Sequence, residues 1–155
     1  MKSLRTAAVV CGAILVTAAA AWAAPASNAD YIKARQTQYK TMGAAFKQAM
    51  DQLRQQPADL NVVRNSARVI VAMSQAQYGL FRAGSGPEAG VKTAAKPDIW
   101  TNAPAFKAAQ DEFRARAGEF NLAAAGTDQA AITAAAQRLG QTCQKCHQQF
   151  RAKNP

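Results

Sequence analysis

The chain is short of several residue types that much protein chemistry relies on. Its 155 residues include one histidine, three cysteines and nine acids, and aromatics make up only 7%. One histidine cannot serve both as a ligand and as a separate acid–base group. Three cysteines fall short of the two pairs that a tetrahedral zinc site usually takes. The 19 basic residues outnumber the acids but form no dense run, which together with the export signal described below argues against nucleic acid as a partner. There is no internal repeat, and the only compositional bias is alanine-rich helical sequence.

What is present concentrates near the C-terminus. Cys143-Gln144-Lys145-Cys146-His147 is a C-x-x-C-H run, the spacing of a c-type haem attachment site. In such a site two thiols add across the haem vinyl groups, and the adjacent imidazole becomes an axial iron ligand. His147 is the sole candidate for that ligand. On a helix, Cys143, Cys146 and His147 share one face, as a flat macrocycle held from one side requires. Competing readings are a shared zinc site, a thioredoxin-like dithiol, and two buried thiols beside a surface histidine. Zinc lacks ligands within one chain. The redox pair belongs on a βαβ scaffold, for which no strand pattern appears here. Free thiols would be an oxidation liability in an exported protein.

Export is indicated by the N-terminus. Lys2 and Arg5 precede an apolar stretch, Ala7–Ala21, that ends in Ala21-Trp22-Ala23, a small-x-small cleavage pattern. The stretch is short for a membrane span, and Pro25, Ser27 and Asn28 follow it where a stop-transfer flank would be basic. The expectation is a signal peptide, residues 1–23, and a mature domain, residues 24–155; the alternative is an uncleaved anchor. Cys11 would leave with the signal, as would Lys2 and Arg5, so 17 basic residues would face nine acids. A periplasmic protein whose surface favours acidic partners is the consequence.

Four segments show helical periodicity. The first carries Ile32, Arg35, Tyr39, Met42, Phe46, Met50 and Leu53, begins at a cap on Asn28 or Asp30, and ends before Pro57. Asp59 caps the second, whose stripe is Leu60, Val63, Ala67, Ile70, Ser74, Tyr78 and Phe81. A long link, 82–99, holds Gly84, Gly86, Pro87, Gly90 and Pro97, and is expected to pack over one bundle end with Trp100 pinning it. The third helix starts near Asn102 with Pro104 in its first turn. The fourth follows Gly126 with Thr127 as its cap, and its buried stripe runs into Cys143, Cys146 and Phe150. The pattern predicts an all-α fold, an antiparallel four-helix bundle with one covalent c-type haem.

Signal peptide, four helices and a C-terminal C-x-x-C-H together resemble cytochrome c′, the class II cytochromes c. Arg35-Gln36 with Met42-Gly43, Pro97-Asp98-Ile99-Trp100, and Phe150-Arg151 also match the family's pattern. The resemblance implies that Cys143 and Cys146 are the thioether cysteines of haem c and His147 the proximal iron ligand. It implies that Arg35 lies near a haem propionate, a charge-assisted pairing, and that Arg151 lies beside the haem on the proximal side. Each arginine also has a plain alternative, Arg35 snorkelling to the bundle end and Arg151 solvated near the helix C-terminus.

Four residues after Arg35, low-spin relatives place a methionine that closes the sixth iron position. This chain has Tyr39 there, and a neutral phenol is a poor ligand. The resemblance then implies five-coordinate high-spin iron, electron transfer, reversible binding of nitric oxide and carbon monoxide, and a homodimer through the first two helices. The alternative is a six-coordinate low-spin electron carrier ligated by Met42. Peroxide turnover would make the protein an enzyme, but no distal acid–base group is available, so none is expected. Phe46, Tyr78, Phe81 and Phe106 are candidates to line the haem cavity.

Overall fold

The structure, a computed structural model, describes residues 27–153. The apolar N-terminal stretch and the expected cleavage point after Ala23 lie outside them. Four long helices carry the chain: α1 (Asn28–Leu53), α2 (Leu60–Ala76), α4 (Ala103–Ala124) and α5 (Gln129–Phe150). A single turn, α3 (Asp98–Thr101), leads into α4, and a 3-10 turn, Gln77–Leu80, continues α2. Among the described residues there is no strand, only one antiparallel bridge between Ala95 and Arg151. The fold is the expected antiparallel four-helix bundle.

Local chemistry sets the helix boundaries. The cap of α1 is Ser27, not Asn28 or Asp30. Ser27 Oγ accepts from the Asp30 N–H at 3.2 Å, and the Asp30 carboxylate accepts the Ser27 N–H at 3.1 Å. This reciprocal arrangement is a capping box, so Asp30 is the third residue inside the helix. Asp59 caps α2 as expected, accepting from Asn61 N–H at 2.9 Å and Val62 N–H at 3.4 Å. For α5 the cap is one residue later than expected: Asp128 Oδ1 accepts from Ala130 and Ala131 N–H groups at 2.9 and 3.1 Å. Pro104 does occupy the first turn of α4.

At one end the core is closed by small side chains. Ala45, Ala49, Ala67, Ala117, Ala135 and Ala136 are all buried and let backbones approach closely, while Ile70, Phe120, Ile132 and Leu139 fill what remains. Gln129 Nε2 donates to the Leu53 and Gln55 carbonyls, closing the end of α1 against the start of α5. Helix α1 packs along α2, α2 along α4, and α4 along α5, whereas α1 and α5 touch little. They do meet at Gly140, where an added Cβ would lie 3.1 Å from Phe46 Cζ.

The other end is covered by the long link, as expected. Trp100 Nε1–H donates to the Phe81 and Arg82 carbonyls, both at 3.1 Å. A second apolar cluster forms there from Ile99, Phe106 and Phe150, with Phe81 and Trp100 against it. Residues 94–96 run beside 150–152: Lys96 N–H donates to the Phe150 carbonyl at 3.0 Å and Ala152 N–H to the Ala94 carbonyl at 2.8 Å.

The displaced cap gives a direct check. Asp128→Ala is expected to lower stability by about 1 kcal/mol, read as a lower denaturation midpoint, whereas Thr127→Ala leaves it nearly unchanged. A loss confined to the Thr127 variant would contradict the cap assignment.

Candidate functional site

Where α1 and α5 part, a cavity of about 660 Å³ opens between α1, α4, α5 and the link. That size lies within the range of about 300–1,000 Å³ typical of cofactor and ligand sites. Helix α5 brings Cys143, Cys146 and His147 to its wall, and α1 brings Arg35, Tyr39 and Met42. Arg151, just past α5, lines it too, so all seven of these residues border one space. Of the four candidate aromatics, Phe81 and Phe106 line the cavity. Phe46 instead packs against Gly140 and the closed core. Tyr78 is turned away, donating its hydroxyl to Asp111 Oδ1 at 2.7 Å.

The α5 wall carries neutral donors. Neither Cys143 nor Cys146 takes part in a disulfide. Burial pushes both up, Cys146 to about 11 with Cys143 adding to the effect, so both stay protonated at neutral pH. Burial first and the Arg151 charge second hold the His147 imidazole below its usual value. Its neutral form, the one that donates a lone pair to a metal, therefore prevails at neutral pH.

The opposite wall is less ordinary. Arg35 is only 3% exposed, yet among the described residues no carboxylate lies within ion-pairing distance. Its Nη1 donates to Ser85 Oγ at 3.0 Å, and Nη2 donates to the Ser85 carbonyl at 2.7 Å and Thr93 Oγ1 at 2.9 Å. The guanidinium lies 5.1 Å from the Phe81 ring centre and 5.9 Å from that of Trp100. Burial lowers its pKa, opposed by Tyr39 and Glu88, but an arginine remains charged. The result is a fixed cation in an apolar wall, held by neutral groups, with capacity left for an anion.

Tyr39 faces the same space. Burial keeps its phenol well above the usual value, with the two thiols adding and Arg35 opposing. Its hydroxyl donates to Gln77 Oε1 at 2.9 Å. Met42 is 7% exposed and also belongs to the closed core. Five polar residues here escaped the sequence reading: Lys40, Gln77, Lys92, Thr93 and Gln110. Gln110 is buried, lines the cavity, and has an Nε2 with no hydrogen-bond partner. The available signals were positional: Gln77 follows Val63 and Ile70 at seven-residue steps, and Gln110 lies on the stripe between Phe106 and Phe113.

The donor set suits a haem bound from one side. Two thiols and one imidazole share a helix face, the cavity is lined largely by carbon, and a buried cation awaits an acidic group. No group of three or more His, Cys, Asp or Glu side chains among the described residues could hold a metal ion by itself.

Comparison with known proteins agrees. The profile of the family described as Cytochrome C′ matches residues 30–151. A cytochrome c′ of Rhodospirillum rubrum is 33% identical over 144 residues, 90% of this chain and 92% of the relative. Among solved structures, a nitric oxide complex of a cytochrome c′ variant from Alcaligenes xylosoxidans superposes with a TM-score of 0.75 at 26% identity, over 83% of this chain and 98% of the other. A carbon monoxide-bound variant of that protein superposes at 0.74, with the same identity and coverage. A further cytochrome c′, described as having ligand-controlled dimer dissociation, gives 0.77 at 28% identity over 84% of this chain and all of the other.

Covalent attachment predicts that haem stays with the polypeptide through acidified-acetone extraction, and that replacing Cys143 and Cys146 together by alanine releases it. Haem-free protein is expected to melt well below the haem-loaded form, by about 4 °C for each kcal/mol of lost stabilisation. Equal melting temperatures would show that the cavity needs no filling.

Proposed function

The chain belongs to the cytochrome c′ family, whose cofactor is a covalently bound haem c, and we propose that it is a periplasmic member with five-coordinate, high-spin iron that transfers electrons and binds nitric oxide and carbon monoxide. When bound, haem c supplies an iron that exchanges one electron and can hold a diatomic gas at an open position. Cys143 and Cys146 tether the group along α5, and His147 presents a neutral imidazole to the iron. Arg35 supplies positive charge for a propionate, relieving the cost of a buried, unpaired cation. Arg151 adds positive charge on the His147 side.

The observation that carries this reading is Tyr39 across the cavity from the α5 residues. Burial keeps its phenol neutral, so it fills space without offering an anionic oxygen to the iron. Crowding by this ring admits small diatomics and disfavours larger ligands. Met42 supports a second reading, because its side chain lines the same cavity: a six-coordinate, low-spin electron carrier. Among the described residues lining the cavity there is no carboxyl group and no histidine besides His147, so we assign no enzymatic role.

Residues 1–23 act as a cleaved export signal in this proposal. No helix among the described residues is long and apolar enough to cross a membrane. Lys40, Lys92 and Arg151 border the cavity, which favours an acidic redox partner. A homodimer through α1 and α2 completes the proposal.

Absorption and EPR spectra in both redox states test it. The expected result is high-spin ferric haem, a ferrous spectrum that shifts with carbon monoxide, and no change of spin state in Met42→Leu. A methionine-to-iron charge-transfer band lost in Met42→Leu would overturn the open site. The pH dependence has a definite sign. A raised pKa favours the neutral phenol, so no tyrosinate band is expected near pH 10, where an ordinary tyrosine ionises.

A further inference from the structure

Tyr39 is not a free side chain in the cavity. Its hydroxyl proton goes to Gln77 Oε1, and Gln77 is 2% exposed at the start of the 3-10 turn that continues α2. The amide is held in one orientation. Gln77 Nε2 donates to the Ser74 carbonyl at 2.9 Å and reaches the Gln110 carbonyl at 3.4 Å. A flipped amide would turn its oxygen against two carbonyl oxygens, an arrangement with no donor between them. The acceptor for the phenol is thus fixed by α2 and α4, neither of which carries a cysteine or histidine. On its other side the Tyr39 ring meets Phe81 edge-on, with centroids 6.1 Å apart.

We propose that Gln77 is a positioning residue that bolts Tyr39 over the distal side of the cavity and turns its one proton away from any ligand held there. The proposal rests on the haem site described above and adds a determinant of ligand access and selectivity. Two effects follow. A ring anchored through its hydroxyl must break a part-buried hydrogen bond before it can swing aside, so gas entry is slowed. A phenol committed to Gln77 also cannot donate to a bound diatomic, so this tyrosine behaves as an apolar cap. Tyr39 then discriminates among gases by size, with no stabilisation of a polar ligand from its phenol.

The test uses haem-loaded protein and three variants: Gln77→Leu, Tyr39→Phe and the two combined. Carbon monoxide association is followed after flash photolysis, and the C–O stretching frequency of the complex by infrared spectroscopy. Gln77→Leu is expected to speed association on the order of fivefold, the factor for losing one hydrogen bond. It should also lower the C–O stretch, because the released hydroxyl turns toward the ligand. Tyr39→Phe is expected to speed association similarly without lowering the stretch. The combined variant should match Tyr39→Phe, because Gln77 acts only through the phenol. Multiplying rate effects, or an unchanged rate and stretch in Gln77→Leu, would overturn the bolt. If Gln77→Leu fails to fold, Tyr39→Phe alone decides, and a wild-type association rate in that variant overturns the proposal. The wild-type spectrum separates the two levels: a low-spin ferric state defeats the open site and the bolt together, whereas high-spin iron with flat rates defeats the bolt alone.

Discussion

Four amphipathic helices bury most surface when each meets both neighbours along its length, yet α1 and α5 do so only in part. Gly140 admits Phe46 at their contact. Toward the α1 N-terminus and the α5 C-terminus the two helices stand apart around the cavity. Side chains lining such a gap lose packing partners on one side, and an alanine-rich core has little apolar area elsewhere to compensate. The separation is therefore a structural cost that an occupant removes. The residues of the proposed site stand on its walls: Cys143, Cys146 and His147 on α5, Arg35 and Tyr39 on α1.

The polar groups at this gap divide into two kinds. Arg35 makes three hydrogen bonds, all to neutral acceptors, and lies against two aromatic rings. Its position is over-determined while its charge is left unbalanced, a combination that suits recognition of an acidic group on an otherwise apolar molecule. Tyr39 is the reverse case, with no charge and its one donor already used. One wall thus has an electrostatic end and an inert end, four residues apart on a single helix.

Much of this was legible from the chain because the informative residues obey short-range rules. The C-x-x-C-H spacing needs only one helix turn to bring its three side chains together, and Asp59 announces the start of α2 by local chemistry alone. Errors arose where two residues of similar capping ability stand side by side. Thr127 and Asp128 both suit a cap, and only the backbone decides between them. Ser27 stands beside Asn28 and forms one reciprocal motif with Asp30, so the cap lies one residue before the two expected candidates begin. Phe46 and Tyr78 share stripes with true lining residues, but a stripe describes the whole buried face while the cavity occupies one end of it. Gln77 and Gln110 were missed because a glutamine in a helix reads as surface unless its heptad position is weighed above its polarity. No local pattern could have paired Gln77 with Tyr39, whose contact spans 38 positions.

The segment 92–96 joins the two sides of the gap. Toward α1, the Lys92 carbonyl accepts from Gln36 Nε2 at 3.0 Å, and Thr93 Oγ1 accepts from Arg35. Toward α5, Ala94 and Lys96 pair with Ala152 and Phe150. Five residues of backbone thus span from one separated helix to the other and act as a gauge block. The length of this tie is measured out in peptide units, while its hold on α1 depends on the side chains of Gln36, Arg35 and Thr93. Substitutions along the walls can reshape the chamber, and a residue gained or lost in the segment would change the length of the tie itself.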